Sequence, residues 1–300
     1  MDSLNYTETP IQEIHDPLFD AMAVRVLVKR EDLNHPTVSG NKWWKLKYNL
    51  AEAKRLGKKK LLTFGGAYSN HIYATAAAAK EIGFESIGII RGEETLPLNS
   101  TLTFAKAQGM QLHYVSREVY RNKTDEAFLD RLRVTFGDFY LIPEGGTNTL
   151  AIEGCEEFGK KILSEIDFDI VCLPVGTGGT MAGLIKGFES EKEMKGFSVL
   201  KGGEFLEKEV IELLGLQEKK SPNWTIETGY HFGGYGKKTI ELESFIRSLN
   251  EVHQLPLDTI YTGKMLFGIY DLIRQSKINK GSTVLVIHTG GLRNTAGFIA

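Results

Sequence analysis

Two cysteines in 300 residues, Cys155 and Cys172, allow at most one bridge, so this chain is no disulfide scaffold. Each lies in an apolar or helical context, where thiols are usually buried and reduced. No stretch approaches the roughly 20 apolar residues of a membrane span. Residues 1–17 are acidic and hold no apolar run, so no secretory signal is expected there, and the expected setting is the cytoplasm. Neither sign of charge dominates: 36 Lys and Arg stand against 38 Asp and Glu, a net charge of -2. That balance calls for neither nucleic acid nor an acidic membrane surface as partner. Internal repeats and low-complexity segments are missing too. With 42% hydrophobic and 25% charged residues, what remains is an ordinary globular chain, long enough to bury one large core or two packed ones.

Short apolar runs alternate with longer helical patterns. Residues 24–29, 60–64, 86–90, 111–115, 139–142, 169–175 and 283–288 read as strands. Helical patterns cover 70–80, 101–107 and 181–188. Strand, glycine turn and helix in repetition predict an α/β fold with parallel sheets. The strands read as near-continuous apolar runs, which suits sheets covered by helices on both faces. Ligands of such sheets bind beyond the carboxyl ends of the strands, so the turns there matter most. The pattern restarts near Lys47 and near Gly146. This predicts a small inserted domain, 48–146, within a larger one made of 1–47 and 147–300.

Val175-Gly176-Thr177-Gly178-Gly179-Thr180 precedes a helical pattern. Glycines let backbone N–H groups converge, a helix start adds positive potential, and threonine hydroxyls add donors; together they suit a phosphate. A tight packing turn would use the same glycines. The segment lacks the Lys-Ser/Thr end of a P-loop and the GxGxxG spacing of a dinucleotide fold. A second turn is Gly65-Gly66-Ala67-Tyr68-Ser69-Asn70-His71, in which Ser69 or Asn70 could serve simply as an N-cap. No other His or Cys stands at metal-ligand spacing from His71, so no metal is assigned. A third segment, Ser39-Gly40-Asn41-Lys42-Trp43-Trp44, sets a lysine beside two tryptophans. Aromatic neighbours could desolvate its amine and lower its pKa, as a nucleophilic lysine needs; a plain surface lysine is the alternative.

Ser39-Gly40-Asn41-Lys42, then Gly65 to His71, then Gly176 to Thr180, in that order along the chain, resemble the 1-aminocyclopropane-1-carboxylate (ACC) deaminase / D-cysteine desulfhydrase family. Tyr261-Thr262-Gly263-Lys264 and His288-Thr289-Gly290-Gly291 extend the resemblance over nearly the whole chain. It implies the tryptophan-synthase-β-like fold, fold type II, with pyridoxal 5′-phosphate as cofactor. It also implies roles for individual residues. Lys42 matches the lysine that binds the cofactor covalently. Asn70 matches the partner of the cofactor's ring oxygen. Gly176, Thr177, Gly178, Gly179 and Thr180 match the phosphate cup. Ser69 matches a residue that holds the substrate carboxylate or relays a proton, Asn70 and His71 stand beside it as substrate-binding residues, and Tyr261 matches the tyrosine that closes over the substrate; Lys42, Ser69 and Tyr261 are the catalytic residues the resemblance implies. A homodimer is the assembly the family suggests.

At two positions the chain departs from the deaminase pattern. Thr262 stands where deaminases have Glu, and Thr289 where they have Leu. Both are counted among the cofactor-binding residues, and either could face the pyridine nitrogen. A carboxylate there would keep the nitrogen protonated, and opening a cyclopropane calls for so deep an electron sink. A neutral hydroxyl suffices for loss of an α-proton and a β-thiolate. The first reading is therefore a lyase that converts D-cysteine and water to pyruvate, ammonia and hydrogen sulfide. ACC deaminase and a weakly active cofactor-binding protein are the alternatives.

Overall fold

The computed structural model describes residues 3–189, 192–217 and 223–292. The chain opens with β1 (Ile11–Ile14), α1 (Pro17–Met22), β2 (Arg25–Lys29) and α2 (Asn41–Arg55). Strands and helices then alternate through β3 (Lys60–Gly66), α3 (Asn70–Ile82), β4 (Glu85–Arg91), α4 (Ser100–Ala107) and β5 (Gln111–Val115). After α5 (Arg117–Arg121), α6 (Glu126–Phe136) and β6 (Tyr140–Ile142) come α7 (Thr149–Glu165), β7 (Ile170–Val175) and α8 (Gly179–Phe188). The remaining elements are β8 (Glu193–Ser198), α9 (Phe205–Leu213), β9 (Trp224–Glu227), α10 (Ile240–His253), α11 (Thr262–Arg274) and β10 (Thr283–Ile287). Among the described residues no helix is long and apolar enough to cross a membrane.

Two compact units share these elements. The first holds residues 3–6, His35–Val38 and Lys42–Gly154; the second holds Thr7–Asn34, Ser39–Asn41 and the described residues from Cys155 onward. The chain passes between them at Tyr6–Thr7, Asn34–His35, Val38–Ser39, Asn41–Lys42 and Gly154–Cys155, where changes were expected near Lys47 and Gly146.

In the first unit four parallel strands run in the order β5-β4-β3-β6. Side chains alternate across a strand, and here each face finds its own cover. Leu62, Phe64, Ile87 and Ile89 pack on Tyr120 of α5 and on Phe128, Leu129, Leu132 and Phe136 of α6. Ile90 turns the other way, to Ile72 and Ala76 of α3 and to Leu102 and Ala105 of α4. α3 buries Ala74, Ala76, Ala77, Ala78 and Ala79, small side chains that let its backbone approach the sheet closely.

In the second unit six strands run β1-β2-β10-β7-β8-β9. All neighbours are parallel except β1, which pairs antiparallel with β2 at one edge. The register sets Val284 beside Val26 and Ile170, and Val286 beside Val28 and Cys172. This face packs against Met265, Leu266 and Ile269 of α11. Leu27, Leu285, Val171 and Leu173 on the opposite face are at most 2% exposed, so the central strands are covered on both sides. Burying an aliphatic side chain fully stabilises the fold by about 1.5–3 kcal/mol, so these strands carry much of the unit's stability. The second cysteine, Cys172, lies inside this core, where burial pushes its thiol pKa up and leaves it inert.

Candidate active site

In the first unit Lys42 is half-buried at the start of α2. The tryptophans after it have partners of their own. Trp43 and Trp44 meet edge to face at 4.9 Å, both rings pack on Tyr6, and Lys47 lies over both. One turn on, Lys45 is fully buried and donates to the Thr147 hydroxyl at 2.8 Å. Asn49 exchanges hydrogen bonds with Asn148, so α2 is stitched to the turn that opens α7.

The turn after β3 lies at the strand's carboxyl end. Ser69 caps α3, its Oγ accepting from the Ile72 N–H at 3.3 Å, and Asn70 is the first helical residue. His71 is buried beneath them. The Thr63 hydroxyl donates to the Ile142 carbonyl at 2.8 Å, so it accepts from His71 Nε2–H, also at 2.8 Å. That fixes the tautomer and leaves Nδ1 as a bare acceptor, buried and without a partner among the described residues. Burial, then the charges of Lys42 and Lys45, hold the imidazole pKa well below its usual value, so the ring is neutral at neutral pH.

The second unit holds the glycine turn and the remaining residues. α8 starts at the carboxyl end of β7, and His288-Thr289 follows the end of the neighbouring β10. Gly178 occupies the N-cap of α8 with φ 72°, and no side chain caps the helix. By contrast α1, α3, α4, α5 and α10 are capped by Asp16, Ser69, Asn99, Ser116 and Thr239, and α6 and α9, which also lack a side-chain cap, carry the acids Asp125 and Glu204 at that position. A helix start left without an internal acceptor suits a phosphate, and the glycine turn passes this test of fit. Gly176 faces Tyr261, whose ring carbon Cε1 would lie 3.3 Å from a Cβ there. Thr180 accepts from Asn41 Nδ2 at 2.8 Å, which ties the glycine turn to the residue immediately before Lys42.

Gly40, one residue earlier, is held at φ 72° against the Thr289 carbonyl, and a Cβ at this position would stand 2.0 Å from that oxygen. The buried Asn34 side chain reads both polar groups of Gly40, accepting from its N–H at 2.9 Å and donating to its carbonyl at 3.0 Å. The backbone that delivers Lys42 is therefore fixed from two sides before α2 begins.

The two threonines differ. Thr262 is fully buried, and its hydroxyl donates to Asp258 Oδ1 at 2.7 Å and accepts from the Asp258 N–H at 3.1 Å. The Thr289 hydroxyl has no hydrogen-bond partner among the described residues. Asp258, which the sequence reading did not single out, also accepts from the N–H groups of Ile260, Tyr261 and Thr262 and so sets the start of α11. Tyr235 was passed over as well. Its ring meets Tyr261 edge to face at 5.9 Å. Its signal was the glycine-dense run His231-Phe232-Gly233-Gly234-Tyr235-Gly236.

Parallel sheets with a glycine-opened helix after one strand and a lysine opening another helix define the fold type II architecture of pyridoxal-phosphate enzymes. The model of the family described as pyridoxal-phosphate dependent enzymes matches residues 3–290. A Pyrococcus horikoshii protein provisionally named 1-aminocyclopropane-1-carboxylate deaminase is 33% identical, over 96% of this chain and 90% of its own. The mitochondrial bifunctional D-cysteine desulfhydrase/1-aminocyclopropane-1-carboxylate deaminase of Arabidopsis thaliana is 29% identical, over 97% and 78%. A crystal structure of an ACC deaminase homologue matches with a TM-score of 0.82 at 31% identity, covering 98% of this chain and 92% of that one. The chain belongs to the pyridoxal-phosphate dependent enzymes, within their ACC deaminase / D-cysteine desulfhydrase group, and pyridoxal 5′-phosphate is its cofactor.

Proposed function

We propose that the enzyme is a lyase that performs α,β-elimination on D-cysteine, giving pyruvate, ammonia and hydrogen sulfide with uptake of one water. When bound, pyridoxal phosphate withdraws electrons from the substrate's α-carbon. Lys42 Nζ anchors the cofactor and, once freed, takes the α-proton. The N–H groups that open α8 hold the phosphate, and Asn70 holds the ring oxygen. Ser69 and the start of α3 receive the substrate carboxylate, with the His71 Nδ1 acceptor beneath them. Tyr261 closes over the substrate.

The observation that carries the substrate choice is the Thr289 hydroxyl, neutral and uncommitted among the described residues, where the deaminase pattern has Leu. Thr262 spends its hydroxyl on Asp258. Of the pair, Thr289 is therefore the one we assign to the pyridine nitrogen. Such a partner leaves the nitrogen unprotonated, which suits thiolate loss and disfavours ring opening. ACC opening is the second reading, favoured by the names that the relatives carry. The cytosolic setting and the homodimer remain part of the proposal, the first supported by two free, buried cysteines. The test is an assay of the cofactor-loaded protein on both substrates. Sulfide from D-cysteine with little ammonia from ACC is expected; ready opening of ACC without sulfide release would overturn the choice.

A further inference from the structure

The segment from Tyr230 to Lys238 is glycine-rich and forms neither helix nor strand. Two successive turns shape it: the Gly234 N–H donates to the His231 carbonyl and the Lys237 N–H to the Gly234 carbonyl, each at 3.0 Å. Phe232, Gly233, Gly234 and Gly236 all have positive φ, and Phe232 is not a glycine. Such a backbone persists only where its surroundings hold it.

What holds it is one face of α11. Lys264 Nζ donates to the His231 and Gly234 carbonyls, each at 2.9 Å. Phe267 takes Phe232 edge to face at 5.0 Å, and Asp271 accepts from the Tyr230 hydroxyl at 2.9 Å. Positions 264, 267 and 271 follow the three-and-four spacing of a single helical face. At the amino end of the same helix Tyr261 receives the ring of Tyr235. Lys264 is 1% exposed, so its ammonium is given over to these two carbonyls.

We propose that Lys264 is a positioning residue, whose ammonium clamps both turns onto α11 and so holds Tyr235 against Tyr261 where the substrate is fitted. The inference rests on the proposed role of Tyr261. Burial lowers the Lys264 pKa to about 8, with Asp258 pulling the other way. The other polar groups around the clamp are committed. His231 Nδ1 accepts from the Gly233 N–H, the Tyr230 phenol donates to Asp271, and Asp258 holds the start of α11. In the unfolded chain the group keeps its proton to its ordinary 10.5, so between the two values rising pH favours the folded state through this lysine. Opening the loop exposes Lys264 and returns its pKa towards that same value, so through this range rising pH favours the clamped loop as well.

Lys237 and Lys238 are exposed in that loop, and Lys280 is exposed in the turn before β10, so trypsin reads one against the other. In the cofactor-loaded full chain, cleavage after Lys237 or Lys238, relative to Lys280, should fall several-fold from pH 7 to pH 9. Lys264→Met should cleave there at least ten-fold faster at pH 7 and lose the pH dependence, with the visible cofactor band unchanged. Its KM for the amino acid that the wild type turns over should rise by more than its kcat falls. A flat wild-type ratio across this range, which needs no variant to fold, would overturn the clamp. So would a Lys264→Met protein cut as slowly as the wild type, or one whose loop is freed while KM stays the same. If the elimination reading fails instead, the wild type releases no sulfide while the trypsin pattern stands.

Discussion

Two helix starts in the second unit share a backbone dipole but not a purpose. α11 is saturated from within: Asp258 accepts four hydrogen bonds there, from the N–H groups of Ile260, Tyr261 and Thr262 and from the Thr262 hydroxyl. α8 opens on Gly178 in a left-handed conformation with no side-chain cap. The first start has its anion built in, and what it offers outward is the Tyr261 ring. The second has none, and a phosphate can supply it. An uncapped start is not enough, since α6 and α9 are uncapped too; α8 differs from them in having glycine where they carry Asp125 and Glu204.

The largest effect on activity belongs to neither start, but it shows what they serve. Lys42→Ala should fold, lose the visible band of the bound cofactor and lose turnover by at least about 10²–10⁴-fold, the usual worth of a positioned acid–base group. Absorbance and a sulfide assay check both. Asp258→Ala should then separate the two starts most sharply. It strips four buried donors of their acceptor, at about 1–3 kcal/mol for an unsatisfied group, so a drop of several degrees in Tm is expected. Gly178→Asp is the reciprocal change, giving α8 an internal carboxylate. Asp tolerates positive φ better than most residues, but a Cβ here would lie 3.0 Å from Val210 Cγ2, so some stability is lost as well. Cofactor affinity, read by spectral titration, should fall by more than ten-fold. Unchanged affinity would show that α8 does not hold the phosphate.

The smallest effects separate the threonines. Thr262→Val removes a hydroxyl bound to Asp258 and should cost about 1–2 kcal/mol of stability. Thr289→Val removes one without a partner among the described residues, so Tm should hold while sulfide release falls. If both variants lose only stability, Thr289 has no part in the choice of reaction.

How far the sequence foretold this follows from burial. The central strands β7 and β10 announced themselves because both faces are covered, and each differs from its expected bounds by one residue at one end; β5, a partly buried edge strand, was legible from its composition alone and has the expected bounds. β1 and β9 were missed because they are the sheet's edges, short and only partly buried, where no unbroken apolar run is needed. β8 escaped through the Lys195-Gly196 pair inside it. The glycine turns and Lys42 were legible because their chemistry demands particular residue types at close spacing. Asp258 was not, since its carboxylate reaches a helix that begins four residues later, beyond the usual N-cap spacing, and nothing in Pro256-Leu257-Asp258 marks it. The sequence reading also left the threonines equivalent, because a hydroxyl's commitment to a buried neighbour is a fact of packing.

The central claim is that the cofactor sits on Lys42, although Lys29, Lys45 and Lys264 are more deeply buried lysines. Reductive trapping of the cofactor-loaded protein with borohydride, followed by peptide mapping in a mass spectrometer, tests it directly. The predicted result is a single phosphopyridoxyl mass increment on Lys42. An increment on Lys45 or Lys264, with Lys42 unmodified, would contradict it.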